Sequence, residues 1–248
     1  HDKRLRCSAL VENKNSDGTT TKILIDIGPE FRIQALKYKI DSLDAVLLTH
    51  GHADHIYGLD DIRVFSHTQS CGTGKNPCKN ETPGKGLPFY ANKQTLKDVF
   101  HRFDYIFMET QIGGGKPKIY LQNINKLTEE NPLKKNEKHS ILYLTDCSAI
   151  REKGFKTIRE KGGIIDHAII DGLREEEHAT HFNYYSALET GLKINAKHIY
   201  LTHITHQHTN TEISQLLDAK LEELGIKEQF YLENRTALPG YDGLKLKI

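Results

Sequence analysis

The sequence predicts an α/β fold, and two observations carry that prediction. Short apolar runs rich in Val, Ile and Leu alternate with stretches of helical period along most of the chain. Several of those runs stop at Gly, or at Leu-Thr followed by His or Asp, as buried strands do where they meet a loop. No internal repeat is present.

The elements follow in order. "KILIDIG" (22–28) reads as a buried strand ended by Gly, and "PEFRIQALKYKI" (29–40) as a helix with Pro in its first turn. "DAVLLTH" (44–50) is the next strand, and "NKQTLKDVFHRF" (92–103) is helical. "KIYLQNI" (118–124), "SILYLTD" (140–146), "DHAIID" (166–171) and "KHIYLTH" (197–203) read as strands, the last two separated by the helical "YYSALETGLKI". A long amphipathic helix over 209–224 ends at Gly225. The closing "YDGLKLKI" reads as an alternating strand after an Asp-Gly turn. One stretch, "SHTQSCGTGKNPCKNETPGKG" (66–86), is polar and without period, so it is expected to be a surface insertion.

With 248 residues, 37% apolar and 27% charged, the chain is expected to form one domain over 1–248. Lys and Arg number 34 against 33 Asp and Glu, so nothing global draws it to nucleic acid or to a membrane surface. No apolar run reaches the length of a membrane span, and no signal-peptide pattern opens the sequence. The expected location is therefore cytoplasmic. The first residue is His1 rather than Met, which reads as part of a longer chain. Cys7, Cys71, Cys78 and Cys147 are too few for a disulfide framework, and reduced thiols are expected. Cys71 and Cys78 are expected to be surface thiols, with a small metal site or a disulfide as alternatives. Fourteen histidines are the outlier, and they cluster.

The densest cluster is "LLTHGHADHIYGLDD" (47–61). In an extended segment leaving a strand, His50 and His52 point to the same side, so two imidazoles can grip one ion. Asp54 and His55 follow where a helix begins and diverge enough to reach a second ion. That surplus of ligand types suggests a two-metal site, against the plainer reading of a solvated His-rich turn. Further along, "YLTD" ends at Asp146 and "YLTH" at His203. Loops at strand ends of an α/β fold converge on one edge, where sites form. Asp146 could instead cap a following helix, "SAIREKGF".

"THGHADH", "YLTDCS" and "YLTHITH" together resemble the metallo-β-lactamase superfamily. Within it, "IDIGPEFR", "GLDDIRVF", "HATHFN" and "YDGL" resemble the phosphodiesterase branch related to the carbon–phosphorus lyase accessory enzyme. The tRNA 3′-end-processing nuclease is a more distant relative. The resemblance implies a four-layer αββα sandwich with two divalent ions at one edge. It implies that His50 and His52 bind the first ion, that Asp54, His55 and His203 bind the second, and that Asp146 bridges both. Zn²⁺, Mn²⁺ and Fe²⁺ all suit imidazole and carboxylate donors. Such a pair, about 3.5–4 Å apart, makes hydroxide available at neutral pH and clamps phosphorus oxygens.

A diester also needs its leaving oxygen protonated, usually by a histidine. The resemblance points to His181, which with Ala187 six residues on fits the family register better than His178, and it places Asp54 beside it in the catalytic set. His178 is expected to help bind phosphate. The alternative for His181 is a histidine packed against the acidic residues 175–177. His206 matches a structural-zinc histidine of relatives, against a supporting role for its neighbours. Cys147 is expected to be packed rather than reactive, and His67, His101, His167, His198 and His208 to be surface or supporting residues. The family also places a metal histidine some twenty residues before the bridging aspartate. Here no histidine lies between His101 and His139, and the 124–139 stretch is expected to be shorter than in relatives.

The expected function is a metal-dependent phosphodiesterase acting on a small cyclic or nucleotide-type diester. The alternatives are an RNA 3′-end nuclease, disfavoured by the balanced charge, and a non-catalytic metal-binding scaffold. β-Lactam or thioester hydrolysis ranks lower. The expected partner is the small substrate, with no membrane and with a homodimer left open.

Overall fold

A computed structural model describes residues 2–68, 86–108, 115–130 and 139–247. The predicted insertion therefore lies almost wholly outside the described residues, as do Cys71, Cys78 and much of the 124–139 stretch. The chain forms two compact units, Arg6–Pro132 and His1–Leu5 with Leu133–Ile248.

In the first unit, β1 (Ala9–Lys14) and β2 (Thr20–Ile25) form an antiparallel hairpin whose turn uses Gly18 at φ +82°. The helix α1 (Phe31–Tyr38) leads to β3 (Ala45–Leu47), and the short α2 (Ala53–Ile56) and α3 (Arg63–Thr68) follow. Then come β4 (Leu87–Ala91), α4 (Lys93–Arg102), β5 (Ile119–Asn123) and α5 (Ile124–Glu130). The sheet order is β1-β2-β3-β4-β5, parallel from β2 onward. "LPFYA" of β4 is buried at four of its five positions, as a parallel strand covered on both faces must be. Asn92 caps α4 by accepting from the amides of Gln94 and Thr95. Leu24, Val46 and Phe89 of the sheet pack with Phe31 and Val99 of the helices in one core.

The second unit has β6 (His139–Leu144), α6 (Glu152–Lys161), β7 (Ile164–Asp171), α7 (Tyr184–Lys193) and β8 (His198–Thr202). It continues with α8 (Asn210–Glu223), α9 (Lys227–Leu232) and β9 (Thr236–Pro239). All strand pairs are parallel, in the order β6-β7-β8-β9. Two capping boxes start its helices: Asn183 with Ser186 on α7, and Thr209 with Glu212 on α8. Ala168, Ile170, Ile199 and Leu201 pack against Leu188, Ile213, Leu217 and Leu221 of the helices.

One expectation is corrected. "YDGLKLKI" makes its turn at Asp242–Gly243, but 244–247 joins no ladder and is not a strand. The last strand is instead β9, whose Pro239, lacking an amide hydrogen, sits at the end of an edge strand. Among the described residues, no helix is long and apolar enough to cross a membrane.

Within each unit the parallel strands send their C-terminal ends to one edge. There the first unit presents Asp26 and His50, and the second presents Asp146, Asp171 and His203.

Candidate metal centre

Six described non-glycine residues have positive φ. Lys39, Asn195 and Asn234 close helices, where the left-handed conformation is ordinary. The other three, Asp26 (58°), Asp146 (51°) and His203 (60°), each stand just past the end of a strand. Non-glycine residues take this conformation at a cost, and such residues gather at functional turns.

In the first unit, the turn at Asp26 organises the "THGHADH" segment. Asp26 is fully buried. One of its oxygens accepts from the Thr49 amide at 2.8 Å, and the other accepts from the Thr49 hydroxyl at 2.7 Å and from Nδ1 of His55 at 2.8 Å. The backbone repeats the tie: the Ile27 amide donates to the His55 carbonyl at 2.7 Å, and the Gly58 amide donates to the Ile27 carbonyl at 3.0 Å. Close approach explains two glycines. A Cβ on Gly28 would meet the Asp54 carbonyl, and one on Gly58 would meet the Gly28 carbonyl.

The Asp26 carboxylate accepts from His55 Nδ1, which orients the ring so that Nε2 stands 3.5 Å from the Asp54 carboxylate. The His50 ring lies 4.3 Å from that of His55 and 4.4 Å from that of His52, centroid to centroid. The unit therefore groups three imidazoles and a carboxylate, with a buried aspartate orienting one ring. This is the donor chemistry of a site for a borderline divalent ion.

In the second unit, donor atoms of Asp146, His181 and His203 all lie within 4.8 Å of one another. His203 Nε2 stands 3.1 Å from one Asp146 oxygen, and His181 Nε2 stands 3.7 Å from the other. The His181 and His203 rings stack at 5.0 Å with planes 13° apart. His181 Nδ1 donates to Asp171 at 2.7 Å, and the same carboxylate oxygen accepts from the Cys147 amide at 2.9 Å. Asp171 is fully buried, and burial pushes its carboxyl up to about 6 against the opposing hydrogen bond from His181. Burial, aided by the Asp171 and Asp146 charges, pushes the Cys147 thiol up to about 12, so Cys147 is packed rather than reactive.

The loop carrying His181 is tied down. The Phe182 amide donates to the Cys147 carbonyl at 2.8 Å, and the Leu173 amide to the Phe182 carbonyl at 2.9 Å. Ala187, the small residue of the predicted register, is buried in α7.

The structure thus gathers His50, His52, Asp54 and His55 in one unit and Asp146, His181 and His203 in the other. Asp146 does not cap the following helix, because α6 begins beyond Arg151. His181 is bonded to Asp171 rather than packed on 175–177, and His178 stands with its ring 5.0 Å from that of His181. His206 is exposed and shares no group of three metal donors among the described residues. His139 opens β6 and bonds Asp166 at 2.7 Å. His167, expected at the surface or in support, is buried, stacks on His198 at 5.1 Å and bonds the Lys247 carbonyl.

Sequence reasoning missed Asp26 and Asp171. The available signal was their place: each is the acid that closes an apolar strand, in "LID" and "IID".

A family model described as Beta-lactamase superfamily domain matches residues 21–134. The chain is 30% identical over 223 residues to the octanoyltransferase of Porphyromonas gingivalis (strain ATCC BAA-308 / W83), covering 83% of this chain and 40% of that one. It is 43% identical over 61 residues to the anti-Pycsar protein Apyc1 of Bacillus phage 010DV004, covering 24% and 22%. The chain thus spans less than half the length of these curated relatives. Among solved structures, one described as a new diphosphatase from the PhnP family superposes with a TM-score of 0.70 at 28% identity, over 99% of this chain and 85% of that one. The metallo-β-lactamase fold protein YhfI from Bacillus subtilis superposes at 0.60 with 16% identity, over 96% and 90%, and bears on the fold alone. Residues 21–134 accordingly match the superfamily's domain model, and the chain has the metallo-β-lactamase fold, similar over nearly its whole length to the PhnP-family structure.

Proposed function

We propose that the protein is a metal-dependent hydrolase of phosphate diesters. The observation that carries this reading is the Asp171–His181 pair, with Nδ1 held at 2.7 Å and Nε2 turned toward Asp146 and His203. An imidazole tied this way through Nδ1 presents its other nitrogen, Nε2, beside a cluster of ligand-type side chains.

By family resemblance, His50, His52, Asp54 and His55 of the first unit and Asp146 and His203 of the second would hold divalent ions. Zn²⁺ and Mn²⁺ each suit these donors. Such ions, when bound, supply a water acidic enough to act near neutral pH and positive charge against the phosphate oxygens. The rest falls to the protein's own residues. Asp26 holds His55 in the tautomer that exposes Nε2. His181 gives its Nε2 proton to the alkoxide oxygen as the phosphorus–oxygen bond breaks, and Asp171 stabilises the protonated ring until then. His178, near the His181 ring, is suited to contact a phosphate oxygen.

Two substrate classes follow. A small cyclic or nucleotide-type phosphodiester is the first. The PhnP-family relative is described as a diphosphatase, which adds the phosphoanhydride bond of a diphosphate as the second. Metal-loaded protein assayed on bis(p-nitrophenyl) phosphate, cyclic nucleotides and nucleoside diphosphate derivatives tests the proposal. Turnover of one class with two transition ions bound per chain supports it. Metal binding without turnover of any class would replace it with a metal-binding scaffold.

A further inference from the structure

The segment that follows His203 is clamped from outside by residues near the start of the sequence. Arg4 is nearly buried, its side chain 9% exposed. One guanidinium nitrogen donates to the Thr205 carbonyl at 2.9 Å, and another donates to Oδ1 of Asn210 at 2.6 Å. Asp2 completes the arrangement. Its carboxylate accepts from the Asn210 amide at 2.5 Å and stands 3.6 Å from the Arg4 guanidinium. Thr205 is held on its other side as well, its amide donating to the Leu173 carbonyl at 2.8 Å.

The two Arg4 bonds land at the two ends of one loop. Thr205 is two residues after His203, and Asn210 is the first residue of α8. Between β8 and α8 the backbone belongs to no strand or helix, yet His203 keeps the left-handed φ of 60° and stands 3.1 Å from Asp146. A planar fork with several fixed donors can bridge two acceptors at once, which an ammonium on a flexible stem does poorly.

We propose that Arg4, with Asp2 behind it, is a positioning residue for the metal-facing geometry of His203. This rests on the reading of His203 as a metal ligand. Arg4 acts through the loop, its guanidinium engaged by Thr205, Asn210 and Asp2. It stops the 203–210 loop from relaxing, so that His203 stays where an ion can take its nitrogen. Supporting residues behind metal ligands typically change affinity about 10–100-fold.

The test uses Co²⁺ as the probe, with wild-type protein, Arg4→Lys, Arg4→Ala and His203→Ala. Visible d–d bands report ligand geometry, and titration reports affinity. Arg4→Lys and Arg4→Ala are expected to weaken one Co²⁺ about tenfold and to shift its bands. His203→Ala is expected to lose that ion. In the metal-free protein, hydrogen exchange at the Thr205 amide should rise in both Arg4 variants. Arg4→Lys keeps the charge and covers the case in which Arg4→Ala does not fold. Loss of the ion in His203→Ala, with native bands, affinity and Thr205 exchange in Arg4→Lys, would overturn the role of Arg4 alone. Native Co²⁺ binding in His203→Ala would overturn the metal-ligand reading, and this inference with it.

Discussion

Asp171 accepts from His181 Nδ1 and from the Cys147 amide through a single carboxylate oxygen, at 2.7 and 2.9 Å. One buried acid therefore fixes both the ring beside Asp146 and the backbone that follows Asp146. A change at Asp171 should be felt in His181 chemistry before it is felt in metal content.

Asp171→Asn keeps the shape of the side chain and removes the charge that holds the His181 tautomer. Turnover of the diester is expected to fall by about 10²-fold or more, with bound metal unchanged by elemental analysis. A variant with wild-type turnover would show that the pair is structural only.

Asp26→Asn is the matching test in the first unit. Asn tolerates the positive φ of 58° that Asp26 adopts, so the backbone is spared. What changes is the charge behind His55. Divalent-ion affinity is expected to fall about 10–100-fold, measured by competition with a chromophoric chelator. Unchanged affinity would remove Asp26 from the account.

Gly58→Ala places a methyl group against the Gly28 carbonyl and the Phe31 Cβ. Overpacking of this kind typically costs about 1–3 kcal/mol, readable as a lower urea midpoint with an unchanged slope. Because the same turn carries His55, metal affinity should fall with it. Full stability in this variant would mean that the Gly28–Gly58 contact is slack.

Burial pushes the Tyr184 hydroxyl up to about 12, and partial burial together with the bonded carboxylates of Glu175 and Asp218 pushes those of Tyr185 and Tyr231 up to about 12. Tyrosines in the unfolded chain ionise at about 10. Between those values the folded protein holds more protons than the unfolded one, so stability falls as pH rises through that window and is unaffected below it. Absorbance of tyrosinate at pH 11 should lack these three of the eleven tyrosines in the native protein and regain them in denaturant. Titration of all tyrosines at about 10 in the folded state would contradict these environments.

Much of the site was legible because its signals are local. His50, His52, Asp54 and His55 sit within six positions, and the Leu-Thr endings mark Asp146 and His203 as strand-end residues. Asp26 and Asp171 were not legible, since their meaning comes from hydrogen bonds to His55 and His181, 29 and 10 residues away. "LID" in a strand looks like any strand end until the fold brings an imidazole to it. The same physics explains the closing segment. "LKLKI" alternates as a strand would, but alternation needs a neighbouring ladder, and the edge beside β8 is taken by "TALP" of β9. His167, expected at the surface or in support, is buried because the sheet register sets it against His198, a pairing its local spacing does not display.

His181 lies as close to Asp146 and His203 as a metal ligand would. The most direct measurement is metal content and turnover of bis(p-nitrophenyl) phosphate in His181→Ala beside the wild type. Two ions retained per chain, with turnover reduced about 10²-fold or more, is the predicted result. Unchanged turnover, or loss of an ion together with activity, would contradict the assignment of His181 as the acid.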